Sequence, residues 1–120
     1  MPFLPEGWHV HHMLFFTRYR KGGHIGPHVD GTTFDVGGGF ESALTLLVYV
    51  NDGYEGGETV RVYGDDDLPE DRDVQTSPPP VTAGDALLLS QDVMHEARPV
   101  AKGVKYLLRA DVMTKLLRKV

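Results

Sequence analysis

Apolar residues along this chain come in short runs, not at helical spacing. Residues 13–20 (MLFFTRYR) form a β-prone run that stops at Gly22-Gly23. Residues 42–50 (SALTLLVYV) are apolar almost throughout and end at Asn51-Asp52-Gly53, which fits a strand buried on both faces. Further strands are predicted over 58–63 (ETVRVY), 86–90 (ALLLS), 93–97 and 104–113 (VKYLLRADVM), with glycine- and proline-rich turns between them. Residues 1–12 read as an arm, and 114–120 as a helical turn or a frayed tail. The pattern predicts an all-β domain of about eight short strands with few or no helices, a sandwich or barrel, spanning residues 1–120 without a linker.

The two longest runs are apolar on both faces. With Thr45, Leu47 and Tyr49 inward, Leu44, Leu46, Val48 and Val50 point outward. With Lys105, Leu107 and Arg109 inward, Tyr106, Leu108, Ala110 and Val112 point outward. An open patch of that size is unusual on a monomer. It predicts a homodimer through the outer sheet face or a segment that covers it, with the arm and tail able to cover part.

Composition narrows the class. The chain has 120 residues, 41% apolar and 24% charged, which suits one globular domain. It has no cysteine, so disulfides, thiolate metal sites and a cysteine nucleophile are excluded. The net charge is −5, and residues 64–73 (GDDDLPEDRD) account for the whole imbalance, within an acidic, proline-rich loop over 64–80. No basic stripe is left to bind nucleic acid. There is no 18-residue apolar run, and no basic segment precedes an apolar one at the start. The expectation is therefore a soluble, cytoplasmic protein that neither enters a membrane nor carries a secretory signal.

Candidate chemistry centres on His28-Val29-Asp30. In extended chain, residues two apart share a side, so an imidazole and a carboxylate project together. His95, alone in the short 93–97 segment, can complete two histidines and one carboxylate, the facial set of non-haem iron sites. His9, His11, His12 and His24 read as surface or loop polarity.

The motifs around this set occur in a telling order. Tyr19-Arg20-Lys21-Gly22-Gly23 precedes His28-Val29-Asp30. Thr45 to Asn51, Gly56-Gly57-Glu58-Thr59 and Gly84 to Leu89 follow, then His95-Glu96-Ala97-Arg98-Pro99-Val100 and Gly103-Val104-Lys105-Tyr106. In this order the sequence resembles the 2-oxoglutarate/Fe(II)-dependent dioxygenases, in particular their prolyl 4-hydroxylase-like branch, over residues 14–113. The resemblance implies a double-stranded β-helix, that is, a cupin-like jelly roll. It implies Fe(II) held by His28, Asp30 and His95, with 2-oxoglutarate and O2 as co-substrates and ascorbate as a further candidate. It implies Lys105, ten residues after His95, as partner of the distal 2-oxoglutarate carboxylate, with Tyr49, Tyr19 and Thr45 near that co-substrate. A carboxylate in a dry pocket does require a cation. Arg109, on the same face as Lys105, is the competing candidate, and it is structural if it pairs with Asp111. The activity implied is hydroxylation of an unactivated C–H, foremost a prolyl residue of a peptide or protein, with release of succinate and CO2. A small molecule or free amino acid is the alternative substrate. A cupin-like metal-binding or interaction module without turnover is the alternative function.

Overall fold

The structure, a computed structural model, describes residues 4–35, 37–63 and 80–116; the acidic run at 64–73 lies outside them. Within the described residues the chain forms ten strands: β1 (His9–Tyr19), β2 (Ile25–His28), β3 (Phe34–Asp35), β4 (Phe40–Tyr49), β5 (Glu55–Gly56), β6 (Thr59–Arg61), β7 (Ala86–Ser90), β8 (His95–Ala97), β9 (Val100–Lys102) and β10 (Lys105–Lys115). No described helix is long and apolar enough to cross a membrane. Two expectations are corrected at the ends. β1 starts at His9, inside the segment read as an arm, and β10 runs on to Lys115 where a turn or tail was expected.

All strand pairs are antiparallel. The larger sheet runs β1-β10-β4-β3, with β7 also on β4, and the smaller sheet runs β2-β8-β6. β4 is central because its uninterrupted apolar run can be buried from both sides. It pairs with β10 from Phe40 to Tyr49, while its other edge is shared between β3 and β7.

The register sorts side chains onto two faces. Facing the smaller sheet, Tyr19, Leu47, Tyr49, Val100 and Leu107 form one buried cluster. On the outer face, Leu46, Ala110 and Val112 form a second, packed by Leu4, Trp8, Val10, Leu44 and Val48. As the sequence allowed, the amino-terminal segment covers part of this face, with Leu4, Trp8 and Val10 packed on it. Full burial of a side chain such as Val112 contributes roughly 1.5–3 kcal/mol. Leu14 and Phe16 of β1, opposite Ala110 and Leu108, stay exposed at the uncovered end.

Candidate functional site

A register irregularity builds the centre of the site. β2 pairs with β8 at Ile25↔Ala97, and an unbroken ladder from there would set Pro27 against His95. The ladder slips by one residue, so His28 faces His95. Their rings lie 4.4 Å apart between centroids. Asp30, just past the end of β2, is fixed by its backbone N–H donating to Gln91 O at 3.1 Å.

Asp30 Oδ1 then lies 3.4 Å from His28 Nε2 and 3.6 Å from His95 Nε2. One ligand atom from each residue falls within 4.8 Å of the others. Both imidazoles are oriented by backbone carbonyls: His28 Nδ1 meets Gly26 O at 2.8 Å, and His95 Nδ1 meets Val93 O at 2.9 Å. A carbonyl only accepts, so each Nδ1 carries a proton, and Nε2 is the ring nitrogen turned toward Asp30. This is the ring orientation a metal ligand needs. The carboxylate is oriented too. Thr45 Oγ1 donates to Asp30 Oδ2 at 2.6 Å and accepts from Gln91 Nε2 at 3.3 Å. Gln91 itself is held by Ser42 Oγ, which donates to its Oε1 at 2.6 Å, and it donates to Asp111 Oδ1 at 3.0 Å.

His28, Asp30 and His95 wall a cavity of about 230 Å³, together with Phe15, Thr45, Leu47, Thr59 and Arg109. Tyr19 and Leu107 line it as well. A second cavity, of about 630 Å³, is lined by Tyr49, Asp52, Tyr54, Glu58 and Asp85 and touches none of His28, Asp30 and His95.

Lys105 opens β10 opposite Tyr19 and is fully buried. Its Nζ donates to Gly57 O at 2.7 Å and lies 4.8 Å from the Tyr19 ring centroid and 5.8 Å from that of Tyr49. Among the described residues it forms no ion pair. Burial lowers its pKa from 10.5 to about 8, a shift that nearby Glu58 partly opposes. The Gly57 carbonyl reaches it because Gly56 and Gly57 both take positive φ, +74° and +71°. A Cβ on Gly56 would stand 2.4 Å from Pro99 O.

The remaining expected residues are placed as follows. Tyr19 flanks the cavity and Lys105, and burial raises its pKa. Tyr49 donates to Thr59 Oγ1 at 2.8 Å and lines the larger cavity. Thr45 lines the smaller cavity but spends its hydroxyl on Asp30. Arg109 does pair with Asp111, loosely: Nη2 is 3.5 Å from Oδ1, and its Nε is buried with no hydrogen-bond partner. His9, His11, His12 and His24 stand apart from the cavity. Sequence reasoning missed Gln91 and Ser42, which no motif marks.

The matching family profile is the 2OG-Fe(II) oxygenase superfamily, over residues 14–110. The chain belongs to this superfamily. Membership implies Fe(II), 2-oxoglutarate and O2 as the partners of the site, and the donor set fits the metal: two imidazole nitrogens and one carboxylate oxygen within 4.8 Å of one another. The fold is the jelly roll of these oxygenases. An oxidoreductase of the 2OG-Fe(II) oxygenase family from Burkholderia pseudomallei superposes with a TM-score of 0.59 at 18% identity, covering 88% of this chain and 44% of that one. A viral collagen prolyl hydroxylase from Paramecium Bursaria Chlorella virus-1, in complex with 2OG, superposes with a TM-score of 0.53 at 19% identity, covering 89% and 63%. The chain therefore spans less than two thirds of either neighbour's length. No curated protein matches it significantly.

Proposed function

We propose that this chain is the core of a 2-oxoglutarate-dependent hydroxylase, with His28, Asp30 and His95 as the metal ligands and Lys105 as the partner of the co-substrate's distal carboxylate. One observation carries the reading: next to Tyr19, which lines the cavity of His28, Asp30 and His95, lies a buried ammonium whose one hydrogen-bond acceptor among the described residues is a neutral carbonyl. An ammonium without a counter-charge is expensive in a protein interior. A dicarboxylate that chelates a metal at one end and meets Lys105 at the other removes that cost. The bound iron would supply oxidative decarboxylation of the co-substrate and, through it, oxidation of a C–H bond.

The chain's own residues have defined tasks in this reading. The carbonyls of Gly26 and Val93 keep the two imidazoles in the metal-binding tautomer. Thr45, itself held by Gln91, fixes the Asp30 carboxylate. Tyr19, Leu47 and Leu107 keep the path between metal and Lys105 largely apolar and exclude water.

For substrate, the likeness to a viral collagen prolyl hydroxylase supports a prolyl residue of a peptide as the first class to test. A small carboxylic acid is the second, favoured by the open guanidinium edge of Arg109 in the cavity wall. The test is an anaerobic titration of Fe(II)-loaded protein with 2-oxoglutarate, followed by its visible charge-transfer band. Succinate release in air over a peptide and metabolite panel, with and without ascorbate, completes it. A band plus substrate-stimulated succinate is the expected result. A band without succinate points to a binding module, and metal binding without response to 2-oxoglutarate refutes the reading.

A further inference from the structure

Two cations lie on the inward face of β10, and only one is needed for the distal carboxylate of the co-substrate. Lys105 sits at the deep end, fully buried behind Tyr19. Arg109 sits beside the metal ligands themselves. It shares the 230 Å³ cavity with His28, Asp30 and His95, and its guanidinium carbon is 5.9 Å from the Phe15 ring centroid.

Its charge is poorly matched within the chain. Asp111 is the one carboxylate paired with it among the described residues, through Nη2 at 3.5 Å. Both oxygens of Asp111 have closer partners: Thr33 Oγ1 donates to Oδ2 at 2.7 Å, and Gln91 Nε2 donates to Oδ1 at 3.0 Å. Asp111 is thus committed to tying β10 to the loop after β2, and Arg109 holds only its margin. Arg109 Nε meanwhile is buried with no acceptor, although the side chain as a whole is 36% exposed. A buried donor left without an acceptor is unfavourable, more so when charged. The Nε–H/Nη–H edge of a guanidinium has the fork spacing of a carboxylate.

We infer that Arg109 is the substrate-binding residue of this oxygenase, and that its substrate carries a free carboxylate close to the carbon that is oxidised, as a free amino acid or a small organic acid does. This rests on the hydroxylase reading and narrows its substrate from an internal prolyl residue to an acid. Cavity size agrees: about 230 Å³, shared with the co-substrate, is below the roughly 300 Å³ that encloses a drug-sized ligand. An acid held by Arg109 in that space has its nearest carbons beside the metal ligands.

The experiment uses the full chain loaded with redox-silent Mn(II) and saturated with 2-oxoglutarate. Calorimetry follows the binding of the proteinogenic L-amino acids and of short monocarboxylic acids, each against its primary amide, and of an acetyl- and amide-capped Gly-Pro-Gly peptide. At least one acid is expected to bind, and its amide to bind roughly 10-fold or more weakly, the loss of a charge-assisted pair. In Arg109→Gln the acid falls to the level of its amide, Arg109→Lys restores part of the difference, and 2-oxoglutarate titrates as in the unsubstituted protein. The inference is overturned if acids and amides bind alike, if no acid binds, or if only the capped peptide binds. It is also overturned if Arg109→Gln weakens 2-oxoglutarate itself about tenfold, which would assign the arginine to the co-substrate. Failure of the hydroxylase reading is seen separately, as no response of the metal-loaded protein to 2-oxoglutarate.

Discussion

Lys105→Met separates what this lysine does for binding from what it costs the fold. Methionine keeps the length of the stem and removes the charge. The ammonium is held in the interior by one hydrogen bond to Gly57 O and the faces of two tyrosines. Its pKa, lowered from 10.5 to about 8, corresponds to about 3 kcal/mol of disfavour for the charged form in the folded state. Below pH 8 the folded protein carries this cost in full. Between about pH 8 and 10.5 the unfolded chain still binds the proton and the folded one does not, so stability rises with pH until the cost is gone. The methionine variant lacks that rise. It also loses the hydrogen bond, about 1 kcal/mol, so the net gain near pH 7 is about 2 kcal/mol. The gain shrinks as pH approaches 10. Because the comparison is a difference between two proteins, other titrating groups cancel. Urea unfolding of both proteins at pH 7, 8.5 and 9.5 measures it. The same substitution should weaken 2-oxoglutarate binding roughly 100-fold, the loss of a buried charge pair. A variant less stable than the parent at every pH, with the same pH slope, refutes the buried-charge argument. Unchanged 2-oxoglutarate affinity refutes the role of Lys105.

Asp30→Ala should abolish Mn(II) binding at micromolar metal while leaving far-ultraviolet dichroism intact, since Asp30 lies outside the strands; retained binding contradicts the three-ligand assignment. Gln91→Leu removes the donor that fixes Thr45 and through it the Asp30 carboxylate, and should lower metal affinity roughly 10–100-fold, with Gln91→Glu failing to rescue because its carboxylate would face Asp111. Gly56→Ala should destabilise by about 2 kcal/mol or more in thermal or urea unfolding, because its φ is +74° and the new methyl meets Pro99 O at 2.4 Å; a neutral effect would show that this turn relaxes.

What could be read from the sequence follows the range of the interactions. Strand positions and the inward and outward faces of β4 and β10 depend on alternation within a few residues, and those assignments match the register of the sheet. The His28-Asp30 pair is likewise local. The opposition of His28 to His95 is not, because it depends on a one-residue slip between strands almost seventy residues apart, which alternation alone would not place. The start of β1 was hidden for a different reason. His9, His11 and His12 give no apolar alternation, and the segment becomes a strand because β10 offers it an edge at Val112 and Met113. Trp8 had no meaning in isolation and gains one by packing on the outer face with Leu46 and Val112.

Gln91 is the clearest limit of the sequence reading, and it bears on how the site works. It sits in the turn after β7 with nothing nearby to mark it. Its partners are Ser42, Thr45 and Asp111, at separations of 49, 46 and 20 residues. An amide suits that position because it must accept on one side and donate on the other. Ser42 donates to Oε1, while Nε2 serves Thr45 and Asp111. A carboxylate would repel Asp111, and an apolar side chain would leave the Ser42 hydroxyl proton without its acceptor. The same amide therefore steadies both the Asp30 carboxylate, through Thr45, and the partner of Arg109, through Asp111. Asp111 stays committed to the framework only while Gln91 and Thr33 hold it, and that commitment leaves the guanidinium edge of Arg109 open to the cavity.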